Sequence, residues 1–372
     1  MKAVKNIKKF FRFISIYGLS RTLIKMIGRY KLKAPGIYLS LPKKKYVSVV
    51  GCGQFAFSTI CYFLRKKKGN VFLSCYDVNK DNAKFLARFY HFSKVANSFE
   101  ELIEDKKLKA IYIASNHHSH TEYAIEALNR NIDVHVEKPI SVSKEQFSKL
   151  SKAIANSQAK IYAGYNRPFS SAICEIKKYI KNKNLPLSLN CFVSGHFIPI
   201  GHWYRNPEEG TRICGNIGHW LDLAIHLFAL RGKIPDNLSI QISYSNVNEP
   251  DDNILISISS DVNDIVNIML TARCEPFEGI YEGINLQCGN IIAKIDDFRN
   301  LTIWQDEKLI KKTFYPKDVG HERAIMQIFE NNSRNWNEVE LSTLLMLHIS
   351  EMVKKNEKSS MFATSEKTAS IK

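Results

Sequence analysis

The chain has 372 residues, of which 45% are hydrophobic and 24% charged, a composition typical of a soluble globular protein with two domains. Its eight cysteines are scattered without a CxxC pair. That scatter argues against a zinc site or a disulfide framework and predicts a cytoplasmic location. The net charge of +17 belongs to one end, because residues 1–76 contain no Asp or Glu and the remaining chain is neutral. A neutral body argues against nucleic-acid binding.

Residues 1–45 form a basic N-terminal extension and linker. Apolar residues recur there at helical spacing, with cations largely opposite them: Ile7, Phe10, Phe11 and Ile14 against Lys5, Lys8, Lys9 and Arg12. Arg12 interrupts the apolar part and no small-residue cleavage site follows, so the segment is not a signal peptide. Two interpretations stay open. Residues 1–33 are either a helical extension that packs on protein, or an amphipathic helix on an anionic membrane surface, which would make the protein membrane-associated.

Residues 46–165 alternate short apolar runs with helical stretches. The predicted strands are "YVSVV" (46–50), "NVFLSCYD" (70–77), "AIYIAS" (110–115) and "DVHVE" (133–137). Strands of about five residues that alternate with helices indicate βαβ units and a parallel sheet.

Residues 166–356 show a different pattern, in which polar and apolar residues alternate along longer strands. The predicted strands cover 188–197, 239–247, 253–261, 264–273, 284–295, 301–306 and 309–315. This alternation predicts an antiparallel or mixed sheet with one packed face. A helix over 337–356 closes the ordered chain, and 357–372 is expected to be a frayed polar tail.

A dinucleotide-binding loop is predicted in "VSVVGCGQFAFSTI" (47–60), where Gly-x-Gly-x-x-Ala joins a strand to a helix. Gly51 permits a tight turn, Gly53 lets the backbone approach a pyrophosphate, and Ala56 allows close helix–strand packing. Gln54 and Phe55 belong to the same predicted cofactor site. Asp77 ends the second strand, where a carboxylate binds the ribose hydroxyls and repels a 2′-phosphate; this favours NAD over NADP. The alternative interpretation of Asp77 is a helix N-cap.

Five stretches together resemble the Gfo/Idh/MocA family of NAD(P)-dependent oxidoreductases (glucose–fructose oxidoreductase, inositol 2-dehydrogenase and relatives). They are "VVGCGQFA" (49–56), "IASNHHSHTEYAIEAL" (113–128), "HVEKPIS" (135–141), "AGYNRPFS" (163–170) and "GTRICGNIGHWLDLAIH" (210–226). The resemblance covers roughly 46–350. It implies an α/β fold, with an N-terminal Rossmann domain followed by an α/β domain that has an open, mainly antiparallel sheet. Such a sheet often serves oligomerisation, so we expect a homo-oligomer, a dimer or a tetramer.

The resemblance implies an active site around "HVEKPIS", beyond the carboxyl end of a strand, where open parallel sheets bind ligands. Lys138 would hydrogen-bond the substrate oxygen and stabilise its developing charge. Glu137 and Lys138 would also lie beside the nicotinamide as cofactor-binding residues. Ser115, Asn116 and His117 would line the nicotinamide ribose. His120 would pack locally at the helix start. The histidine-rich stretch 115–120 has no accompanying acid or cysteine set, and we expect no metal.

The helix in "GTRICGNIGHWLDLAIH" supplies the second predicted catalytic residue. Family members often present a histidine from this helix, and the glycine-rich entry favours His219, with Asp222 following in an HxxD pattern. The alternative alignment uses Asp222 and His226. The acid that inositol-dehydrogenase-like members carry four residues before the histidine is Gly215 here. The predicted substrate or active-site wall residues are Tyr165, Asn166, Arg167, Trp203, Arg212 and Asp222. Of these, Arg212 suits a carboxylate or phosphate.

These features predict an NAD-dependent oxidoreductase that acts on a secondary hydroxyl or ketone of a sugar or nucleotide-sugar. A role in surface-polysaccharide synthesis would suit the basic N-terminus. Two alternatives are kept: a non-catalytic NAD-binding scaffold, and a redox-neutral sugar-modifying enzyme with tightly bound NAD.

Overall fold

The computed structural model describes residues 2–32, 44–272, 280–330 and 333–365, with side chains from residue 7 onward. The linker predicted at 33–45 lies almost entirely outside these residues. The helices are α1 (Lys2–Tyr17), α2 (Leu19–Tyr30), α3 (Cys61–Lys68), α4 (Lys80–Tyr90), α5 (Phe99–Ile103), α6 (His117–Asn129), α7 (Lys144–Asn156), α8 (Ser171–Ile180), α9 (Gly218–Arg231), α10 (His321–Met326) and α11 (Trp336–Lys354). The strands are β1 (Val47–Val50), β2 (Phe72–Tyr76), β3 (Lys94–Val95), β4 (Ala110–Ile113), β5 (Asp133–Val136), β6 (Ile161–Ala163), β7 (Leu187–Gly195), β8 (Asn237–Tyr244), β9 (Asn253–Ser260), β10 (Ile265–Thr271), β11 (Ile280–Cys288), β12 (Ile291–Asp296), β13 (Asn300–Gln305), β14 (Lys308–Thr313) and β15 (Ser359–Ala363).

The chain divides into two compact units, and neither is continuous in sequence. The nucleotide-binding unit comprises Gly18–Gly164 and His321–Arg334. The second unit comprises Met1–Tyr17, Tyr165–Gly320 and Asn335–Lys372. This division differs from the predicted domains in two places. Helices α1 and α2 belong to different units instead of forming a separate extension, and 321–334 joins the nucleotide-binding unit.

The nucleotide-binding unit contains a six-stranded sheet in the order β3-β2-β1-β4-β5-β6, with all pairs parallel. Strands β1 and β4 are buried along their whole length, as expected for a sheet covered on both faces. Helix starts follow the local sequence: the Asn79 side chain caps α4 and the Ser143 hydroxyl caps α7. The predicted Rossmann domain is confirmed.

The second unit contains a nine-stranded sheet in the order β14-β13-β12-β11-β7-β10-β9-β8-β15. Every neighbouring pair is antiparallel except β7 and β10. Burial alternates along β7, β8 and β9, so one face of the sheet is packed. The predicted open, mainly antiparallel sheet is confirmed.

The C-terminal segment corrects the expectation of a frayed polar tail. Residues Ser359–Ala363 form β15, which pairs antiparallel with β8 at one edge of the sheet. The side chain of Phe362 is 6% exposed, so this strand also contributes to the packed face. A single apolar anchor within a polar segment is enough when strand pairing satisfies the backbone.

One helical stretch among the described residues, Pro207–Arg231, is long and apolar enough to cross a membrane by length and composition alone. In the structure, 78% of its apolar window is buried inside the protein. Burial of this kind is also found in core helices of globular proteins, so the stretch is weak evidence for a membrane span.

Candidate active site

The loop after β1 has the backbone that a dinucleotide requires. Gly51 has φ +80°, and a Cβ there would overlap the backbone of Ala114 and Ser115. No atom lies within 4 Å of the Cβ position that Gly53 lacks, so its backbone faces open space. The helix that begins after Gly53 has N–H groups in its first turn without intrahelical acceptors. This arrangement fits a pyrophosphate.

Asp77 follows β2 and is hydrogen-bonded to the same loop. One carboxylate oxygen accepts from the Cys52 N–H at 2.6 Å, and the other accepts from the Asn79 N–H at 2.7 Å. The next helix is capped by Asn79, so the alternative interpretation of Asp77 as its N-cap is wrong. Asp77 is half-buried at the carboxyl end of β2, where an acidic residue can accept hydrogen bonds from ribose hydroxyls.

Gln54 and Phe55, expected in the cofactor site, contact other parts of the protein. The Gln54 side-chain amide donates to the backbone carbonyl of Lys25 in α2 at 2.9 Å. The Phe55 ring lies edge-on to His321 with 5.6 Å between ring centroids. These partners could not be predicted from the sequence, because Lys25 and His321 are far from the loop in the chain.

The turn from β4 into α6 supplies a second group of polar residues. Ser115 is half-buried, Asn116 is exposed and His117, which starts α6, is buried. His120 is 1% exposed, and its two ring nitrogens lie 2.8 Å from the Pro139 carbonyl oxygen and 3.0 Å from that of Ser115. Burial lowers the pKa of His120 to about 4, an effect opposed by these two carbonyl contacts. His120 therefore connects the β4–α6 turn to the loop after β5, a more specific role than local packing.

The stretch "EKP" follows β5 directly. The Glu137 side chain is buried, and Gly164 leaves room for it, because a Cβ on Gly164 would lie 2.6 Å from Glu137 Oε1. Lys138 is half-buried and its bond to Pro139 is cis. Strands β1, β4 and β5 are parallel neighbours, so the loops after them meet at one edge of the sheet. The nucleotide-binding unit thus brings together the glycine loop, Ser115–His117 and Lys138.

In the second unit, His219 lies in the first turn of α9 and is 7% exposed. The Tyr165 ring is edge-on to His219 with 6.0 Å between centroids, and Tyr165 is itself buried. Asp222, one turn further along, is completely buried and accepts a hydrogen bond from the Ser342 hydroxyl at 3.0 Å. Ser342 was not predicted as a partner of Asp222. Its hydroxyl, within an otherwise apolar stretch of α11, could have indicated a buried polar contact.

His226, the competing histidine, has a different environment. Its Nδ1 lies 2.7 Å from a carboxylate oxygen of Glu338 in α11. This contact ties α9 to α11 and gives His226 a structural role. The prediction that His219 is the acid–base residue remains a prediction, and the contact of His226 supports it.

Asn166 and Arg167, expected at the substrate wall, are buried and make internal contacts. The Asn166 amide donates to the Val319 carbonyl, and Arg167 forms a buried ion pair with Glu282 at 2.5 Å. The guanidinium also donates to the Asn166 side-chain oxygen and lies over the Trp220 ring, 5.4 Å from its centroid. A buried guanidinium needs such partners, so these groups are held by the protein itself.

Arg212, expected to suit an anionic substrate group, is 2% exposed. Its guanidinium donates to the His196 carbonyl at 3.1 Å and lies 3.4 Å from Asp252. Burial lowers its pKa, an effect opposed by the Asp252 carboxylate. Trp203, in contrast, is 38% exposed. Of the predicted wall residues, Trp203 has the most accessible side chain.

Comparison with known proteins identifies relatives. Residues 45–165 match the family model GFO_IDH_MocA, described as an oxidoreductase family with an NAD-binding Rossmann fold. Glucose-6-phosphate 3-dehydrogenase of Bacillus subtilis (strain 168) is 25% identical over 49% of this chain and 51% of its own length. Inositol 2-dehydrogenase of Serratia proteamaculans (strain 568) is 22% identical over 53% of this chain and 57% of its own length. The chain spans about half the length of these relatives.

A solved structure extends the similarity in fold to most of the chain. The complex of levoglucosan dehydrogenase with NADH and levoglucosan superimposes with a TM-score of 0.71. It covers 87% of this chain and 100% of its own at 14% identity. At that identity the likeness shows the two-unit fold alone.

Proposed function

Since residues 45–165 carry the NAD-binding Rossmann fold of the Gfo/Idh/MocA oxidoreductase family, we propose that the protein is an NAD-dependent oxidoreductase of a secondary hydroxyl or ketone. The observation that carries the proposal is the edge of the parallel sheet, where the open Gly53 loop, Asp77 and Lys138 follow strands β1, β2 and β5. The loop and Asp77 would hold the pyrophosphate and the adenosine ribose. Bound NAD supplies a hydride acceptor, and NADH supplies a donor.

The chain's own residues would handle the proton and the charge on oxygen. In the oxidation direction, His219 would take the hydroxyl proton while the carbon gives up hydride and becomes a carbonyl. Lys138 would donate a hydrogen bond to a substrate oxygen and stabilise the negative charge that develops there. In reduction the imidazolium returns the proton. The buried hydrogen bond from Ser342 to Asp222 joins α9 to α11 one turn after His219.

The proposed substrate class is a sugar or nucleotide-sugar, as the names of the related dehydrogenases suggest. Because Arg212 is buried beside Asp252, it is withdrawn as the group that would bind a substrate phosphate. Trp203 is retained, since an exposed indole can cover one face of a sugar ring. The basic N-terminal segment is the one feature that supports a role in surface-polysaccharide synthesis. If the protein has that role, it should turn over nucleotide-sugars faster than free sugars.

The test measures cofactor binding and hydride transfer separately. We expect purified protein to bind NAD more tightly than NADP in a calorimetric titration, and to reduce NAD with at least one sugar of a panel. Lys138→Ala should keep the dissociation constant for NAD within a few-fold while kcat falls about 100- to 1,000-fold. Lys149→Ala, an exposed lysine on α7, is the matched control and should change neither quantity. Absence of NAD binding would overturn the proposal.

A second candidate function is favoured by one observation, namely that Gly215 occupies the position of the acid in inositol-dehydrogenase-like members. The protein would then bind NAD without turning over any sugar, as a scaffold. A third outcome, NAD that copurifies and does not exchange with added NAD, indicates a redox-neutral reaction. The same titration and sugar panel distinguish these functions from the leading one.

We also propose a homo-oligomer formed through the exposed face of the nine-stranded sheet. Large apolar side chains on this face are register neighbours: Met269 beside Phe192, and Ile292 beside Trp304, which in turn pairs with Leu309. All five are at least 38% exposed. Two groups of exposed apolar side chains on one face support burial against a second copy. Light scattering coupled to size exclusion tests this, and Met269→Lys with Trp304→Lys should yield monomers.

A further inference from the structure

The N-terminal helices precede residue 45, where the family match begins, and the proposed chemistry does not use them. Each helix is docked on its own unit. In α2, Ile24 is 7% exposed and joins the hydrophobic core, while the Arg21 guanidinium lies over the Phe63 ring at 5.0 Å. In α1, Ile16 is 3% exposed and its carbonyl accepts from the Lys317 N–H at 2.8 Å. Their inner faces are therefore accounted for by packing.

The outer faces carry large apolar side chains in water. On α1, Ile7 is 56% exposed and Phe11, one turn later, is 64% exposed. On α2, Leu19 is 56% exposed, Leu23 is 42% exposed and Tyr30 is 65% exposed. The spacings of four and seven residues place these side chains along one side of each helix. Packing against the protein does not explain these exposed side chains, because the buried residues Ile16 and Ile24 lie on other sides of their helices.

Cations flank these apolar residues and no acid accompanies them. Lys8, Lys9 and Arg12 are exposed on α1, and Arg29 is exposed on α2, with Lys31 directly after it. No Asp or Glu occurs in residues 1–76. Apolar side chains beside cations complement a surface that has negative charge at its face and hydrocarbon beneath it.

We propose that the outer face of α1 and the outer face of α2 each bind the surface of an anionic phospholipid membrane. The exposed Phe and Leu side chains would enter the boundary between headgroups and acyl chains, and the cations would remain among the headgroup phosphates. A nucleic acid is a poorer fit for these faces, because it would bind the cations and leave the exposed apolar side chains in water. A second copy of the chain would bring cations against cations, which opposes association through these faces.

Cosedimentation of the full chain with vesicles tests the proposal. We expect binding to vesicles of 70% phosphatidylcholine and 30% phosphatidylserine, weaker binding to pure phosphatidylcholine, and loss of the difference at 1 M NaCl. Lys8→Gln with Lys9→Gln should lower the partition coefficient about 25-fold on the anionic vesicles, at roughly fivefold for each charge. Phe11→Ser and Leu23→Ser should each lower it about 10-fold, the loss expected for one buried apolar side chain.

Matched controls separate this surface from general charge and apolarity. Lys106→Gln with Lys107→Gln removes two exposed cations after α5, and Leu185→Ser removes a side chain that is 41% exposed. These variants should bind vesicles as the unaltered chain does. Equal losses in controls and test variants, or no binding to anionic vesicles, would overturn the proposal. If instead Phe11→Ser abolishes a concentration-dependent dimer, the face is an interface between copies. NAD titration of every variant shows separately whether the nucleotide-binding unit is intact.

Discussion

Gly28 offers a test of how α2 packs on the π-helical turn Ala56–Ile60, which follows the glycine loop. A Cβ at this position would lie 2.6 Å from Phe57 Cδ1 and 2.7 Å from Gln54 Oε1. Phe57 is 2% exposed, and its ring centroid is 5.0 Å from that of Phe85 and 4.8 Å from that of Phe89. The Phe57 ring therefore has little freedom to move aside. A methyl group added at position 28 would force either α2 or the turn Ala56–Ile60 to shift.

Two opposing effects decide the sign for Gly28→Ala. Replacing glycine by alanine inside a helix stabilises it by about 1 kcal/mol, whereas overpacking a filled site costs about 1–3 kcal/mol. We expect the free energy of unfolding to fall by about 1 kcal/mol, and by more than 2 kcal/mol for Gly28→Val, because valine is larger and a poorer helix former. Since Gln54 bonds to α2 through Lys25, the NAD dissociation constant should also rise severalfold.

Urea unfolding followed by circular dichroism measures the first effect, and calorimetric NAD titration measures the second. Arg29→Ala, at the exposed neighbouring position, is the control and should stay within about 0.5 kcal/mol of the unaltered chain. A stabilisation of about 1 kcal/mol by Gly28→Ala would refute the packing described here, because helix propensity alone would then account for the result.

Three further predictions concern buried charges and histidines. Arg167→Met should lower the free energy of unfolding by about 3–5 kcal/mol, because Glu282 is then left buried and unpaired. The double variant with Glu282→Leu should regain most of this stability, and urea titrations measure both changes. Burial lowers the pKa of both His120 and His135 to about 4. As the pH falls from about 6.5 to 4, these histidines therefore take up protons in the unfolded chain but not in the native state. The free energy of unfolding is highest above pH 6.5 and decreases through that window. His135→Phe should reduce the slope of stability against pH by up to about 1.4 kcal/mol per unit; an unchanged slope would contradict the assignment. His219→Gln should lower kcat about 100- to 10,000-fold, whereas His226→Gln, which breaks the contact with Glu338, should mainly lower the melting temperature.

Local sequence was sufficient for features that depend on neighbouring residues. The parallel sheet follows from short apolar runs between helical stretches. The cofactor loop follows from Gly51, whose positive φ only glycine adopts easily, and from the open backbone at Gly53. The position of Asp77 follows from the length of one βα unit. The patterns that predict these features lie within single elements or single βα units, where periodicity and turn chemistry are informative.

The roles of charged residues could not be predicted in the same way. Arg167 resembles a substrate ligand until Glu282, 115 residues away, is seen to neutralise it. Arg212 is likewise defined by Asp252, 40 residues along the chain. Periodicity shows which residues face inward but not which carboxylate meets which guanidinium. The partner of Gln54 in α2 was missed for the same reason.

The discontinuous nucleotide-binding unit has a consequence for how the protein is made. The Tyr112 hydroxyl donates to the Ile325 carbonyl at 2.7 Å across 213 residues, and Ile325 and Met326 join the core of that unit. During synthesis the six strands leave the ribosome long before this last piece does. The growing chain must therefore hold an incomplete core until residue 334 has emerged, and a nascent chain released between 164 and 320 would expose the apolar surface that α10 covers.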